Sequence, residues 1–148
     1  METPDPASSA KPRVLLVDDE PSFTQLMKAN LERISNFAVA CVNDSTKVLT
    51  ICQEWKPDVV VLDEMMPEIN GYEIFKTIRN SEVLPNIRII MLSACYRPHD
   101  LENELKGNHD HMKFSKPIKA RELVQAITVE LERAKKERQT SGPPDSKP

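Results

Sequence analysis

The chain has 148 residues, a length that suits one domain with tails and can bury one good core. Hydrophobic residues make up 39% and charged residues 29%, which speaks for a soluble globular protein and against a disordered or membrane-embedded one. The formal net charge is -3, so no excess of positive charge points to nucleic acid, and no nucleic-acid partner is expected.

Residues 1–12 are rich in Pro, Ser and Ala and read as a disordered leader, with no apolar stretch of the kind a secretory signal needs. No apolar run approaches the roughly 20 residues of a membrane span, so no membrane insertion is expected. The first strand, Arg13–Val17, ends in Asp18, Asp19 and Glu20. Pro21 suits the first turn of a helix, in which Phe23, Leu26, Met27, Leu31 and Ile34 recur at helical spacing. Residues 37–42 form a second strand. Asp44 or Ser45 can cap the next helix, whose Val48, Leu49, Cys52 and Trp55 share a face, and Pro57 stops it. Residues 58–62 are a β-branched apolar run, a third strand, delivering Asp63. A loop with Pro67 leads to a third helix over 71–79, with Ile74, Phe75 and Ile78 inward. The fourth strand, 87–92, ends in Ser93, and a short charged helix is expected over 98–106. The fifth strand, 111–115, is followed by Lys116-Pro117. The last helix spans 119–138, with Leu123, Val124, Ile127, Leu131 and Ala134 as its stripe, and residues 139–148 form a disordered tail. The three cysteines, Cys41, Cys52 and Cys95, are scattered and lack zinc spacing, which suits reduced thiols in a cytoplasmic protein.

Strands alternating with helices predict an α/β fold with a parallel sheet and helices on both faces, a single folded unit over 13–138. In such a sheet the C-terminal strand ends share one edge, where open α/β folds keep their chemistry. That edge receives Asp18, Asp19 and Glu20, then Asp63, then Ser93, then Lys116. A lone Asp at a strand end is more often a cap than a site, and Ser93 or Lys116 alone carries little. Their order on successive strand ends is the informative feature. Gathered carboxylates repel one another unless a cation joins them. Oxygen-only ligation with few protein ligands is what Mg²⁺ prefers. A hydroxyl and a lysine beside them fit a phosphoryl group, and no histidine is placed to serve Ser93 in a hydrolase triad.

On Val17-Asp18-Asp19, on the run from Leu62-Asp63-Glu64-Met65-Met66-Pro67 to Gly71, on Met91-Leu92-Ser93-Ala94 and on Lys116-Pro117, the chain resembles the response regulator receiver domain of two-component signalling. The likeness covers about residues 12–136. It implies a flavodoxin-like (βα)5 sandwich with strand order 2-1-3-4-5. It implies that Asp63 is the phosphoacceptor, and that Asp18, Asp19, Asp63 and the backbone carbonyl of Met65 hold Mg²⁺. Ser93 and Lys116 would contact the phosphoryl oxygens. The donor would be a histidine kinase or a histidine phosphotransfer protein. Output would be a protein partner on the face of the fourth helix, fifth strand and last helix, or onward phosphotransfer to a histidine. The chain would then be a stand-alone, chemotaxis-type receiver, not an enzyme in its own right beyond its own phosphoryl transfer.

Two departures from the family pattern stand out. Receivers commonly carry a switching aromatic three residues before the lysine. Lys113 stands there, and its neighbour Phe114 should point the other way by strand alternation. Ser93, Lys113 and Phe114 are thus the candidate switch residues, unless a bulge resets which side chain faces out. Met65 and Cys95 flank the phosphoryl site and supply no strong group to align an attacking water, so slow self-dephosphorylation is expected. Three other classes compete. A phosphatase of the haloacid dehalogenase type needs a second acid where Met65 stands. A flavin carrier needs a phosphate loop where Asp18-Asp19-Glu20-Pro21 would repel phosphate. A receiver-like binding module that is never phosphorylated needs none of the acidic set.

Overall fold

A computed structural model describes residues 11–82, 84, 86–94 and 111–140. The apolar runs become strands β1 (Arg13–Val17), β2 (Ala38–Val42), β3 (Val59–Asp63), β4 (Arg88–Ser93) and β5 (His111–Ser115). All pair in parallel, in the order β2-β1-β3-β4-β5. The helices described are α1 (Pro21–Ile34), α2 (Val48–Trp55), α3 (Gly71–Asn80) and α4 (Ala120–Thr140). The helix expected over 98–106, and Cys95 with it, lie outside the described residues.

Every residue of β3 is buried, as a central strand covered on both faces must be. Alternation divides its side chains between two layers. Val60 and Leu62 join Leu15, Val17, Ile89 and Met91 beneath α2 and α3, where Cys52, Ile74 and Ile78 pack. Val59 and Val61 join Val14, Leu16, Ile90 and Leu92 beneath α1 and α4, where Met27, Leu31, Leu123 and Ile127 pack.

Local chemistry sets the ends of the elements. Pro21 opens α1. Asp44 accepts the Thr46 N–H and caps a short 3-10 turn, Ser45–Lys47, ahead of α2 rather than α2 itself. Lys56 closes α2 in the left-handed region, at φ 53°, one residue before Pro57. Asn70 caps α3 by accepting the Glu73 N–H at 2.9 Å.

Three strands begin one residue later than the sequence predicts, and two of them also end one later. Asp63 and Ser93 are therefore the last ladder residues of β3 and β4, not the first loop residues after them. The adjoining backbone explains it. The Glu64 N–H donates to the Leu92 carbonyl at 2.8 Å, and the Lys116 N–H to the Ser93 carbonyl at 3.0 Å. The helix α4 runs through Thr140, so residues 139–140, assigned above to the tail, are helical. It is fastened to β4 by Glu130, which is wholly buried. Glu130 accepts from Arg88 Nε at 2.8 Å and from Arg133 at 3.2 Å, and Arg88 also reaches Glu137 at 2.8 Å.

Candidate functional site

The C-terminal edge of the sheet brings the predicted carboxylates together. One oxygen from each of Asp18, Asp19 and Asp63 lies within 4.8 Å of the others. Asp18 is 1% exposed and Asp63 5%, whereas Asp19 faces solvent. Asp18 is held by its surroundings. Its Oδ1 accepts the Glu20 N–H at 3.0 Å, its own N–H donates to Val42, and its carbonyl accepts from Asn43 at 2.8 Å. Asn43 also bonds the hydroxyl of buried Thr24, which ties the loop after β1 to α1.

Lys116 comes from beyond β5 to the same place. Its Nζ lies 2.6 Å from Asp18 Oδ2 and 3.4 Å from Asp63 Oδ1. The ring of Phe23 on α1 faces the ammonium, 5.0 Å from its centroid. Burial, then the charge of Asp18, push the Asp63 carboxyl above its ordinary range, and Lys116 offsets part of the rise. Burial alone would lower the Lys116 ammonium. Asp18 and Asp63 reverse that and hold it above its usual value.

The loop after β3 lies against the Asp63 carboxylate. The Met65 N–H points at Asp63 Oδ1 at 3.3 Å, and Met65 is 65% exposed. Gly71 is required here: a Cβ at this position would run into the Asp63 carbonyl oxygen. Its N–H donates instead to the Glu64 carbonyl at 3.0 Å.

The donor set fits a hard divalent cation. Three oxygen ligands converge at one rim, two of them buried, and the acidity of Asp63 is already disturbed by a neighbouring carboxylate.

Ser93, 1% exposed, donates to Glu64 Oε1 at 3.0 Å. Lys113 pairs with Glu64 Oε2, also at 3.0 Å. The β4–β5 ladder runs in regular register, Met91 opposite Lys113 and Leu92 opposite Phe114, without a bulge. Phe114 accordingly packs into the α1–α4 layer, and Lys113 lies on the other face.

A family model described as "Response regulator receiver domain" matches residues 14–128. The chain belongs to the response regulator receiver family. The receiver is 34% identical over 121 residues to the "DNA-binding response regulator MtrA" of Mycolicibacterium smegmatis, covering 82% of this chain and 51% of that protein. It thus spans about half the length of the curated relatives it matches. Among solved structures, the Francisella response regulator 1452 receiver domain is 27% identical with a TM-score of 0.70, covering 83% of this receiver and 98% of that chain. A CheY-like receiver domain protein from Methanospirillum hungatei, at 21% identity and a TM-score of 0.73, shares the fold over 86% of this chain and 99% of its own.

Sequence reasoning passed over Glu64, Phe23 and Asn43. Each acts through a partner distant in the chain: Ser93 is 29 residues from Glu64, and Asp18 is 25 from Asn43. The one available signal was Glu64's place next to Asp63, an acidic residue where the strand enters the loop.

Proposed function

We propose that Asp63 accepts a phosphoryl group from the phosphohistidine of a histidine kinase or histidine phosphotransfer protein. The phosphorylated receiver then binds a protein partner or passes the group on. The observation that carries this reading is the convergence of Asp18, Asp19 and Lys116 on a nearly buried Asp63.

In the transfer, an Asp63 carboxylate oxygen attacks phosphorus. The new P–O bond forms as the P–N bond breaks. The bonding pair stays on the imidazole nitrogen, and the ring leaves neutral when its other nitrogen carries the proton. Lys116, a point charge on a flexible stem, moves from Asp63 Oδ1 to a phosphoryl oxygen. Ser93 donates its hydroxyl proton to another. Asp18, Asp19, Asp63 and the Met65 carbonyl would hold Mg²⁺, which when bound neutralises charge between the carboxylates and the phosphoryl oxygens. Asp18, pinned through Oδ1 and its backbone, keeps that side of the site in place as the group arrives.

The added charge, about -1.5 to -2 at neutral pH, is the signal. The output surface we propose includes β5 and α4, together with residues 98–106. Relatives such as MtrA are named as DNA-binding regulators. For this receiver a protein contact is the better reading, because a net charge of -3 offers no basic excess to engage phosphates. Among the described residues no helix is long and apolar enough to cross a membrane. Cys41 and Cys52 are free thiols, in keeping with a cytoplasmic setting.

Incubation with acetyl phosphate and Mg²⁺, read by intact mass, tests the proposal. One phosphoryl adduct forms on the wild type and none on Asp63→Asn, and chelating the metal abolishes labelling. No adduct with any small donor or kinase would turn the reading to a receiver-like binding module.

A further inference from the structure

The phosphoryl transfer itself gives no task to Glu64 or Lys113, yet Glu64 is bonded to Ser93 and Lys113 pairs with Glu64. The Glu64 carboxylate uses both oxygens: Oε1 accepts the Ser93 hydroxyl at 3.0 Å, and Oε2 lies 3.0 Å from Lys113 Nζ. The register explains the meeting. Lys113 stands opposite Met91, two residues before Ser93, so the side chains of Lys113 and Ser93 share a face of the sheet. The Glu64 backbone is anchored on both sides, its N–H on the Leu92 carbonyl and its carbonyl on the Gly71 N–H. The Glu64–Lys113 pair is partly shielded, with side-chain exposures of 26% and 16%.

A hydroxyl has one proton to donate. While Glu64 holds that proton, a phosphoryl oxygen on Asp63 cannot. We propose that Glu64 restrains Ser93 in the unphosphorylated receiver and that Lys113 anchors Glu64. Phosphorylation makes Ser93 exchange Glu64 for a phosphoryl oxygen, and the change passes through Lys113 to β5. Glu64 and Lys113 are positioning residues in a polar relay. It runs on the face opposite Phe114, which sits in the α1–α4 core layer. This inference rests on the phosphoacceptor reading of Asp63.

The test is the affinity for beryllium trifluoride with Mg²⁺, a stable stand-in for the phosphoryl group, in wild type, Glu64→Ala and Glu64→Gln, each with Ser93 and with Ser93→Ala. Glu64→Ala should tighten binding roughly tenfold, the scale of one hydrogen bond to a charged acceptor. Most of that gain should vanish in the Ser93→Ala background. Glu64→Gln, which keeps the shape and an acceptor but not the charge, should give a smaller gain and guards against a folding artefact. A second readout is the side-chain amine resonance of Lys113, assigned with Lys113→Met. It should shift on adding the fluoride complex to wild type and stay still in Ser93→Ala. Equal gains in both backgrounds, or an unmoved Lys113 resonance, overturn the relay and leave Asp63 as phosphoacceptor. Failure of the wild type to bind the complex at all overturns the phosphoacceptor reading, and the relay with it.

Discussion

Asp63 is a carboxylate that its surroundings make reluctant to ionise. Burial is the first cause and the charge of Asp18 the second, with Lys116 opposing both. Because the folded carboxyl is raised, its protonated form persists to higher pH than in a free aspartate. Metal-free protein should therefore show Asp63 titrating above the usual carboxylate range by carboxyl carbon NMR. Lys116→Met should push the midpoint higher still and Mg²⁺ should bring it down. A midpoint at the ordinary aspartate value would contradict the assigned environment. At Met65 the sequence predicts slow loss of the phosphoryl group. Met65 is exposed, and its thioether is only a weak acceptor, with no amide or hydroxyl to orient a water. We expect Met65→Asn to speed phosphate release about tenfold, the scale of one well-placed hydrogen bond, as timed in Mg²⁺ buffer. A wild-type half-life of seconds would refute the prediction. The carboxylates and the lysine could be found from the sequence because each ends a recognisable strand. Glu64 could not, since its meaning depends on where Ser93 and Lys113 lie across two neighbouring strands.

At the scale of elements, the strands were legible because their apolar runs contrast sharply with the polar residues that bound them. Their ends were less so. Asp and Ser have little intrinsic strand preference, yet Asp63 and Ser93 stay in the ladder because neighbouring strand ends bond to one another. Another long-range decision joins α4 to β4. Arg88→Ala leaves the wholly buried Glu130 with Arg133, at 3.2 Å, as its remaining cation among the described residues. The loss should be about 2 to 3 kcal/mol, below the cost of a fully orphaned buried charge, because one cation remains. Urea unfolding midpoints measure it. The double variant Arg88→Met with Glu130→Leu should recover most of the stability, since an apolar pair needs no compensation.

For the whole molecule, the core under α2 contains a thiol that matters to its pH range. Burial raises Cys52 from 9.0 to about 11. In the unfolded chain the thiol ionises near the lower value and in the folded chain near the higher one, so stability is full below pH 9 and falls as the pH rises toward 11. The contribution at stake is about 1 to 2 kcal/mol after allowance for solvent screening. Unfolding free energies of wild type and Cys52→Ala, followed across that range, should converge as the pH rises. The parallel α/β class and the placing of Asp18, Asp19, Asp63, Ser93 and Lys116 at the strand ends could be read from the sequence alone, because hydrophobic period and strand-end position are local properties of the chain. The strand order followed from the family likeness and agrees with the sheet observed. Tertiary structure decided what those residues touch. It set Lys116 between Asp18 and Asp63 and put Glu64 between Ser93 and Lys113, whereas Phe114 lies in the far core layer as strand alternation alone predicts. Such contacts depend on the register between strands and on loops meeting at one edge, and no single stretch of the chain encodes either.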